Sequence, residues 1–384
     1  MSNTLTNLIP TIYAAKDIVL GEMTGFIPAV TLDANADMVA KDQTVRYPIV
    51  ASGAAADDIT PAATGPDPSA VTVGSDTMTI SKVKSKTFFW EAEESKGLGA
   101  SMKDAIMRDQ FAQCMRVIRN EVEADLAALY VSASRAYGTA AVTPFASNLS
   151  ELAQLLKILQ DNGAPTSDLQ LVLSTTASAA LRTLTQLSKA NEAGDNALLR
   201  RGVLLDLMGF AIRESAQAKA HTKGDASGYL VDLSAGYAIG STTVHVDTGT
   251  GSVLAGDILT NTKTSRDTNK YVVKTGWAGD GDGDVVLANP GNRVAWVNND
   301  PVAVGASYTA NMAFSRSAIH AMIRQPIMPE GGDAADDVME VVDDKTGITF
   351  QVAMYRQRRR IAYEVGLAWG VKAVKPEAIA ILLG

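Results

Sequence analysis

The sequence predicts an α+β chain whose second half is interrupted by a small all-β module. Three observations carry this. Residues 101–137 hold Met107, Phe111, Met115, Ile118, Val122, Leu126 and Leu129 at spacings of three and four, the period of one long amphipathic helix. Residues 44–50 (TVRYPIV) and 77–90 (TMTISKVKSKTFFW) read instead as strands rich in β-branched and aromatic side chains. Residues 225–305 hold 12 of the chain's 31 glycines and nine aspartates with no helical period, so a third kind of structure begins at about Asp225.

The chain has 384 residues, a length that suggests two to three domains. It is 46% hydrophobic and 20% charged, which is enough apolar material for more than one core. A formal charge of −8 argues against wholesale wrapping of nucleic acid or of an anionic membrane, and leaves room for one local basic face. The single cysteine, Cys114, excludes an intrachain disulfide and a thiolate zinc site. The first residues lack a basic stretch followed by an apolar core, so no secretory signal is predicted. No run of about 18 apolar residues occurs, so no membrane helix is predicted and a cytoplasmic origin is expected.

In chain order, residues 1–40 read as an arm. Leu5, Leu8, Ile12, Ile18 and Val19 allow a short amphipathic helix, but Pro10, Gly21, Gly25 and Pro28 punctuate it, and it needs a surface to lie on. The strands at 44–50 and 77–90 form a long hairpin around GAAADDITPAATGPDPSA, which has no period and is expected to be a mobile tip. Alternation puts Lys82, Lys84 and Lys86 on one strand face, either as a solvated edge or as an arm lying on an acidic neighbouring subunit. The helix over 101–137 is capped by Ser101, ends at Gly138 and runs roughly 55 Å. Its five basic and five acidic side chains make it neutral, and Cys114 falls on or beside its apolar stripe as a core residue.

Residues 149–224 alternate helix and strand. A helix over 149–160 stops at Asn162-Gly163, and DLQLVL (168–173) is a buried strand. Ser174 caps a helix reaching about Ser188, and 202–215 is a strand, a turn at Met208-Gly209 and a second strand. In the glycine-rich module TTVHVD, GDILT, KYVVKT, DVVLA and RVAWV are short strands separated by turn chemistry, which suggests a barrel. Beyond Ser307, residues 338–343 and 348–371 are two long strands around Asp344-Lys345-Thr346-Gly347, and VKPEAIAILLG ends in an apolar strand.

Reactive constellations are scarce. Asp280, Asp282 and Asp284 alternate in AGDGDGDVV, but the EF-hand pattern fails because its sixth position is Val285 and its twelfth Gly291; a turn is expected. His221, His245 and His320 lie far apart and read as structural or surface residues. Nucleophile elbows, phosphate loops, paired-histidine zinc helices and dinucleotide fingerprints are missing, so no catalytic, cofactor-binding or metal-binding residue is assigned and no enzymatic activity is expected. The cluster YRQRRR puts Arg356, Arg358 and Arg360 on one face if it is a strand, beside Arg359. It suits an intersubunit ion-pair seam, a patch facing nucleic acid, or solvated charge. In the module, Lys263 and Arg266 of the polar loop NTKTSRDTN are the contact candidates.

The order of parts, together with GLAWGVKAVKPEAIAILLG (366–384), FSRSAIHAMIRQ (314–325) and the turn Gly209-Phe210…Ser215, resembles the major capsid proteins of tailed bacteriophages, the Hong Kong 97 fold. Within that family it resembles the coat protein of short-tailed Salmonella phages, which carries a β-barrel insertion. The resemblance implies an N-terminal arm (1–40) and an extended hairpin, the E-loop (41–98). It implies a peripheral domain with a long spine helix (99–148 and 309–384), an axial α/β domain (149–224) and a β-barrel insertion (225–308). It also implies a virion shell of pentamers and hexamers around double-stranded DNA, assembled in the host cytoplasm with a scaffolding protein and a portal, and with room for a decoration protein. An encapsulin-like compartment around an enzyme cargo is the alternative, and an enzyme with an unrecognised site is a third reading.

Overall fold

The computed structural model describes residues 21–50, 73–93, 100–184, 187, 206–263, 266–329, 333–343 and 346–384. Strands β1 (Thr31–Val39), β2 (Thr44–Val50), β3 (Val73–Thr79) and β4 (Lys82–Glu91) precede helix α1 (Ala100–Ala127). Then follow β5 (Arg135–Tyr137), α2 (Ser150–Asp161), β6 (Leu169–Ser174), α3 (Thr175–Thr183) and β7 (Phe210–Ser215). The short strands β8 (Ala220–His221), β9 (Leu230–Val231), β10 (Thr243–Asp247), β11 (Ile258–Asn261), β12 (Lys270–Thr275), β13 (Gly283–Leu287) and β14 (Val302–Val304) come next. The chain ends with β15 (Tyr308–Ser315), β16 (Ile319–Pro326), β17 (Asp337–Val342), β18 (Thr349–Gln357), β19 (Arg360–Ala373) and β20 (Ile379–Leu383). No described helix is long and apolar enough to cross a membrane.

A six-stranded sheet is organised by β19. Its 14 residues, about 46 Å of extended chain, carry β4 along one edge and share the other between β18 and β16. β1 adds to β16 in parallel and β17 to β18. Helix α1 lies on this sheet, with Phe111, Phe88 and Tyr363 meeting ring to ring at 4.8–5.3 Å. A second sheet runs β7-β6-β15-β20-β5 and carries α2 and α3 on a separate leucine-rich core that includes Leu152, Leu155, Leu171 and Leu181.

The helix predicted over 101–137 begins at Ala100, one residue before its expected cap, and stops at Ala127, about 42 Å long. A 3₁₀ turn (Ala128–Ser132) follows, and then β5 pairs with both β20 and β12. Ser134 N–H and Oγ–H both donate to Ile379 O. The apolar residues past 127 therefore fall in this turn, where Leu129, Tyr130 and Val131 are half-buried, and the chain is fully buried again only from Ala133 into β5. The single strand expected over 77–90 also breaks, at Ile80-Ser81. Ile80 is fully buried and exchanges hydrogen bonds with Gln43 and Asp42, while Ser81 N–H turns to Trp369 O. The hairpin partner of β2 is thus β3, and β4 leaves it for β19. Part of the predicted arm is built into the body, as β1. The hairpin tip and residues 1–20 lie outside the described residues.

Within 225–305 each strand finds its neighbour in the order β9-β10-β13-β12-β11-β14. The last returns to the first: Val302 N–H donates to Tyr229 O, and Val231 N–H to Asp300 O. Tyr229, Val244, Val246, Tyr271, Val285 and Trp296 fill the interior. RVAWV is not one of these strands. Trp296 is drawn into the core, where its Nε1–H donates to Asp267 at 3.0 Å, and the strand forms at Val302–Val304. The unit is joined to the second sheet, since Lys270 and Tyr271 pair with Ala136 and Arg135.

Candidate assembly surfaces

Lys82 and Lys84 share a strand face, as alternation requires, and that face looks at α1 of the same chain. Lys82 Nζ lies 2.7 Å from Asp125 Oδ1, and Lys84 Nζ 2.6 Å from Glu121 Oε2. Two strand residues and four helix residues cover nearly the same distance, so a lysine pair spaced by two meets a carboxylate pair spaced by four. Asp125 also accepts Trp369 Nε1–H at 2.8 Å. Lys86 is exposed and has no ion pair among the described residues.

The arginines do not share a strand face. Arg356 is the penultimate residue of β18, opposite Ile361, Arg358 and Arg359 form the turn, and Arg360 opens β19 opposite Gln357. Arg359 adopts the left-handed conformation at φ 62°, which reverses the chain and removes the alternation assumed from the sequence. The result is a tight turn on which all four arginines are exposed, with the Arg356 guanidinium 3.9 Å from Asp336 Oδ2 and Arg360 Nε–H donating to Gln357 Oε1. Arg356 N–H donates to Asp336 Oδ2 at 2.6 Å, and the Arg360 guanidinium stands 5.2 Å from the ring of half-exposed Phe89.

Lys263 is exposed, but Arg266 is partly committed inside the module. Its Nε is 2.8 Å from Asp300 Oδ2, an ion pair whose N–H points off the line of an ideal hydrogen bond. Asp300 is buried and also accepts from Asn261 Nδ2–H and Val297 N–H. The two residues proposed together from one polar loop are therefore unlike: one faces solvent, the other neutralises a buried carboxylate.

Sequence reasoning missed two carboxylate assemblies. Glu123, fully buried on α1, accepts N–H from Gly25, Phe26 and Ile27 at 2.6, 2.8 and 2.9 Å and Oγ–H from Ser215 at 2.7 Å. It joins the entering segment, the helix and the end of β7. One turn away Glu22 is held by Arg116 and Asn120, and the Arg116 hydrogen bonds lower its carboxyl to about 2. A glutamate in the middle of a helix signals neither role, because its partners lie about 95 residues away. The second assembly surrounds His245. The register sets it directly opposite Asp284, whose Oδ1 is 2.6 Å from Nδ1, and Asp282 Oδ1 is 2.6 Å from Nε2. These bonds, Asp284 first, raise the imidazole pKa above its ordinary value. Cys114 is buried in the core beneath α1 as expected, and burial pushes its thiol up to about 11.

A scan against protein-family models matches none of them, and no curated protein matches this sequence. Solved structures do match. The chain is similar to the capsid structure of cyanophage P-SCSP1u, with 10% identity, 95% of this chain and 89% of that chain covered, and a TM-score of 0.52. It is also similar to the mature capsid of bacteriophage PhiM1, with 11% identity, 96% and 89% coverage and a TM-score of 0.48. The chain has a phage-capsid-like fold, mixed α+β, with few helices and mostly sheet.

Proposed function

We propose that this chain is the major capsid protein of a tailed bacteriophage. Copies assemble as pentamers and hexamers into a closed icosahedral shell around double-stranded DNA, with a scaffolding protein and a portal as assembly partners. The observation that carries the reading is the extent of the likeness, 95% of the chain against a capsid structure and not an isolated motif. In this reading α1 is the spine helix of a Hong Kong 97-type fold, with the six-stranded sheet as the peripheral domain (99–148 and 309–384). Residues 149–224 are the axial domain, 41–98 the E-loop and 1–40 the arm. Residues 225–308 are an inserted β-barrel, supported by the return of β14 to β9. The protein is a structural, non-enzymatic component of the virion.

Contacts between copies are assigned to Lys86, Lys263 and the arginine turn, with Lys82, Lys84 and Arg266 contributing only where their internal pairs open. Guanidinium groups on an exposed turn suit the carboxylates of a second copy through bidentate pairing. Negative-stain imaging of the purified chain, with and without a co-expressed scaffolding protein, tests the reading. Closed shells are expected; a strictly monodisperse monomer under every condition overturns it. The particle contents then separate packaged DNA from the enzyme cargo of an encapsulin-like compartment.

A further inference from the structure

Three side chains from separate parts of the module of residues 225–305 converge beside β10. Asp232 follows β9, His245 lies in β10, and Asp282 belongs to the turn that precedes β13. One donor atom from each lies within 4.8 Å of the other two. Their spacing follows from the backbone. Asp232 N–H donates to His245 O at 2.9 Å, and the ladder places Asp284, two residues past Asp282, opposite His245.

We propose that Asp232, His245 and Asp282 form a surface site for a borderline divalent cation of the Zn²⁺ class, with Asp284 orienting the imidazole. The donor set is the argument. An imidazole nitrogen with two carboxylates suits zinc-like ions, whereas calcium and magnesium draw on oxygen alone. Histidine ligands generally have their other nitrogen held by a carboxylate, which fixes the tautomer and the ring plane. Asp284 Oδ1 already holds Nδ1 at 2.6 Å, leaving Nε2 to face Asp282. Asp280, by contrast, is turned away and accepts Gly251 N–H at 2.6 Å, so only part of the Asp-Gly run contributes.

Loading is an exchange of a proton for a cation. The Nε2 proton leaves to solvent, the nitrogen lone pair enters the coordination sphere, and both aspartates remain carboxylates. Tetrahedral bonds of about 2.0–2.1 Å separate neighbouring donors by about 3.3 Å. Asp282 must therefore withdraw slightly from its 2.6 Å ion-pair contact. It is 75% exposed and sits between Gly281 and Gly283, so that movement meets little resistance. The fourth position stays open to water. A bound cation would tie the turn to both β9 and β10, three segments joined at one point.

The test is calorimetric titration of the chelator-treated full-length chain with Zn²⁺, repeated with Co²⁺ while following visible absorption. One site per chain is expected. His245→Ala should abolish it, Asp284→Asn should weaken it roughly 10- to 100-fold, and Asp280→Asn should leave it unchanged. Equal binding by wild type and His245→Ala overturns the proposal. So does displacement by equimolar Mg²⁺, which would mark an oxygen-only site. A measurement on the unaltered chain guards against misfolded variants: Zn²⁺ should slow amide hydrogen exchange at Gly281–Asp284, and unchanged exchange refutes the tie.

Discussion

The six-stranded sheet and the module of residues 225–305 stabilise strands in different ways. In the sheet, β19 runs 14 residues and buries Val365, Leu367 and Trp369 completely. Long registers and continuous apolar faces hold it, and one buried carboxylate, Asp343, accepts Thr346 Oγ1–H at 2.6 Å in the β17–β18 turn. In the module the longest strand has six residues, and buried carboxylates fix the loops between strands. Asp267 accepts Tyr271 O–H at 2.7 Å, Trp296 Nε1–H at 3.0 Å and Asn269 N–H at 2.9 Å. Asp257 takes His221 and the N–H groups of Gly224 and Leu254, and Asp300 takes Asn261, Val297 and Arg266. Apolar burial is non-directional and cannot specify a loop; a carboxylate with three donors can.

The largest expected effect separates the two regions from the sheet side. Trp369→Ala removes a fully buried indole and should cost about 4 kcal/mol in urea unfolding of the monomer. Amide protection at Val244–Val246 and Tyr271–Val273 should survive; its loss in step with β19 would mean the module has no stability of its own. Asp267→Ala should cost roughly 3 kcal/mol, because two buried ring donors and an amide lose their acceptor. The loss should read out as faster exchange within 229–302 while β15 and β20 stay protected. An excised 225–308 fragment sharpens the comparison further and should give dispersed β-type amide shifts despite losing the β12–β5 pairs; a disordered spectrum would show that it borrows its order from the second sheet.

Smaller effects follow. Glu22 has its folded pKa lowered from 4.5 to about 2, so its link to α1 is complete above pH 4.5 and is lost as pH falls from there towards 2. Exchange at Ala216, whose N–H donates to Met23 O, should quicken over that window, with the module unaffected. Lys84→Ala should change monomer stability by less than about 1 kcal/mol, since its ion pair with Glu121 is largely exposed. A larger loss in chemical denaturation would give the β4 lysines a structural weight that their exposure does not predict.

Local pattern was legible where it was long. The helical period announced α1, Ser174 caps α3 by accepting Ala177 N–H, and Met208-Gly209 turns with both φ values positive. Ends and partners were less legible. The apolar residues past Ala127 suit a continued helix, and only the 3₁₀ turn at 128–132 and the pairing of β5 with β20 and β12 show where it ends. The period-two lysines were visible, but not the carboxylates awaiting them on α1. Arginine-rich sequence does not itself announce a turn, so the reversal at Arg359 hid inside an apparent strand. His245 and the Asp-Gly run were each read alone, because their meeting depends on the β10–β13 register.

Glu123 has a consequence for how this chain can vary. It grips the entering segment by main-chain N–H groups, which every residue except proline supplies. The identities at 26 and 27 can therefore drift without loosening that grip, so long as the replacements still suit the core, and proline is the one residue that removes a donor. On the helix side there is no such latitude: a single carboxylate serves four donors, and shortening or neutralising it strands them together. Inheritance should accordingly weigh more heavily on the helix position than on the segment it holds.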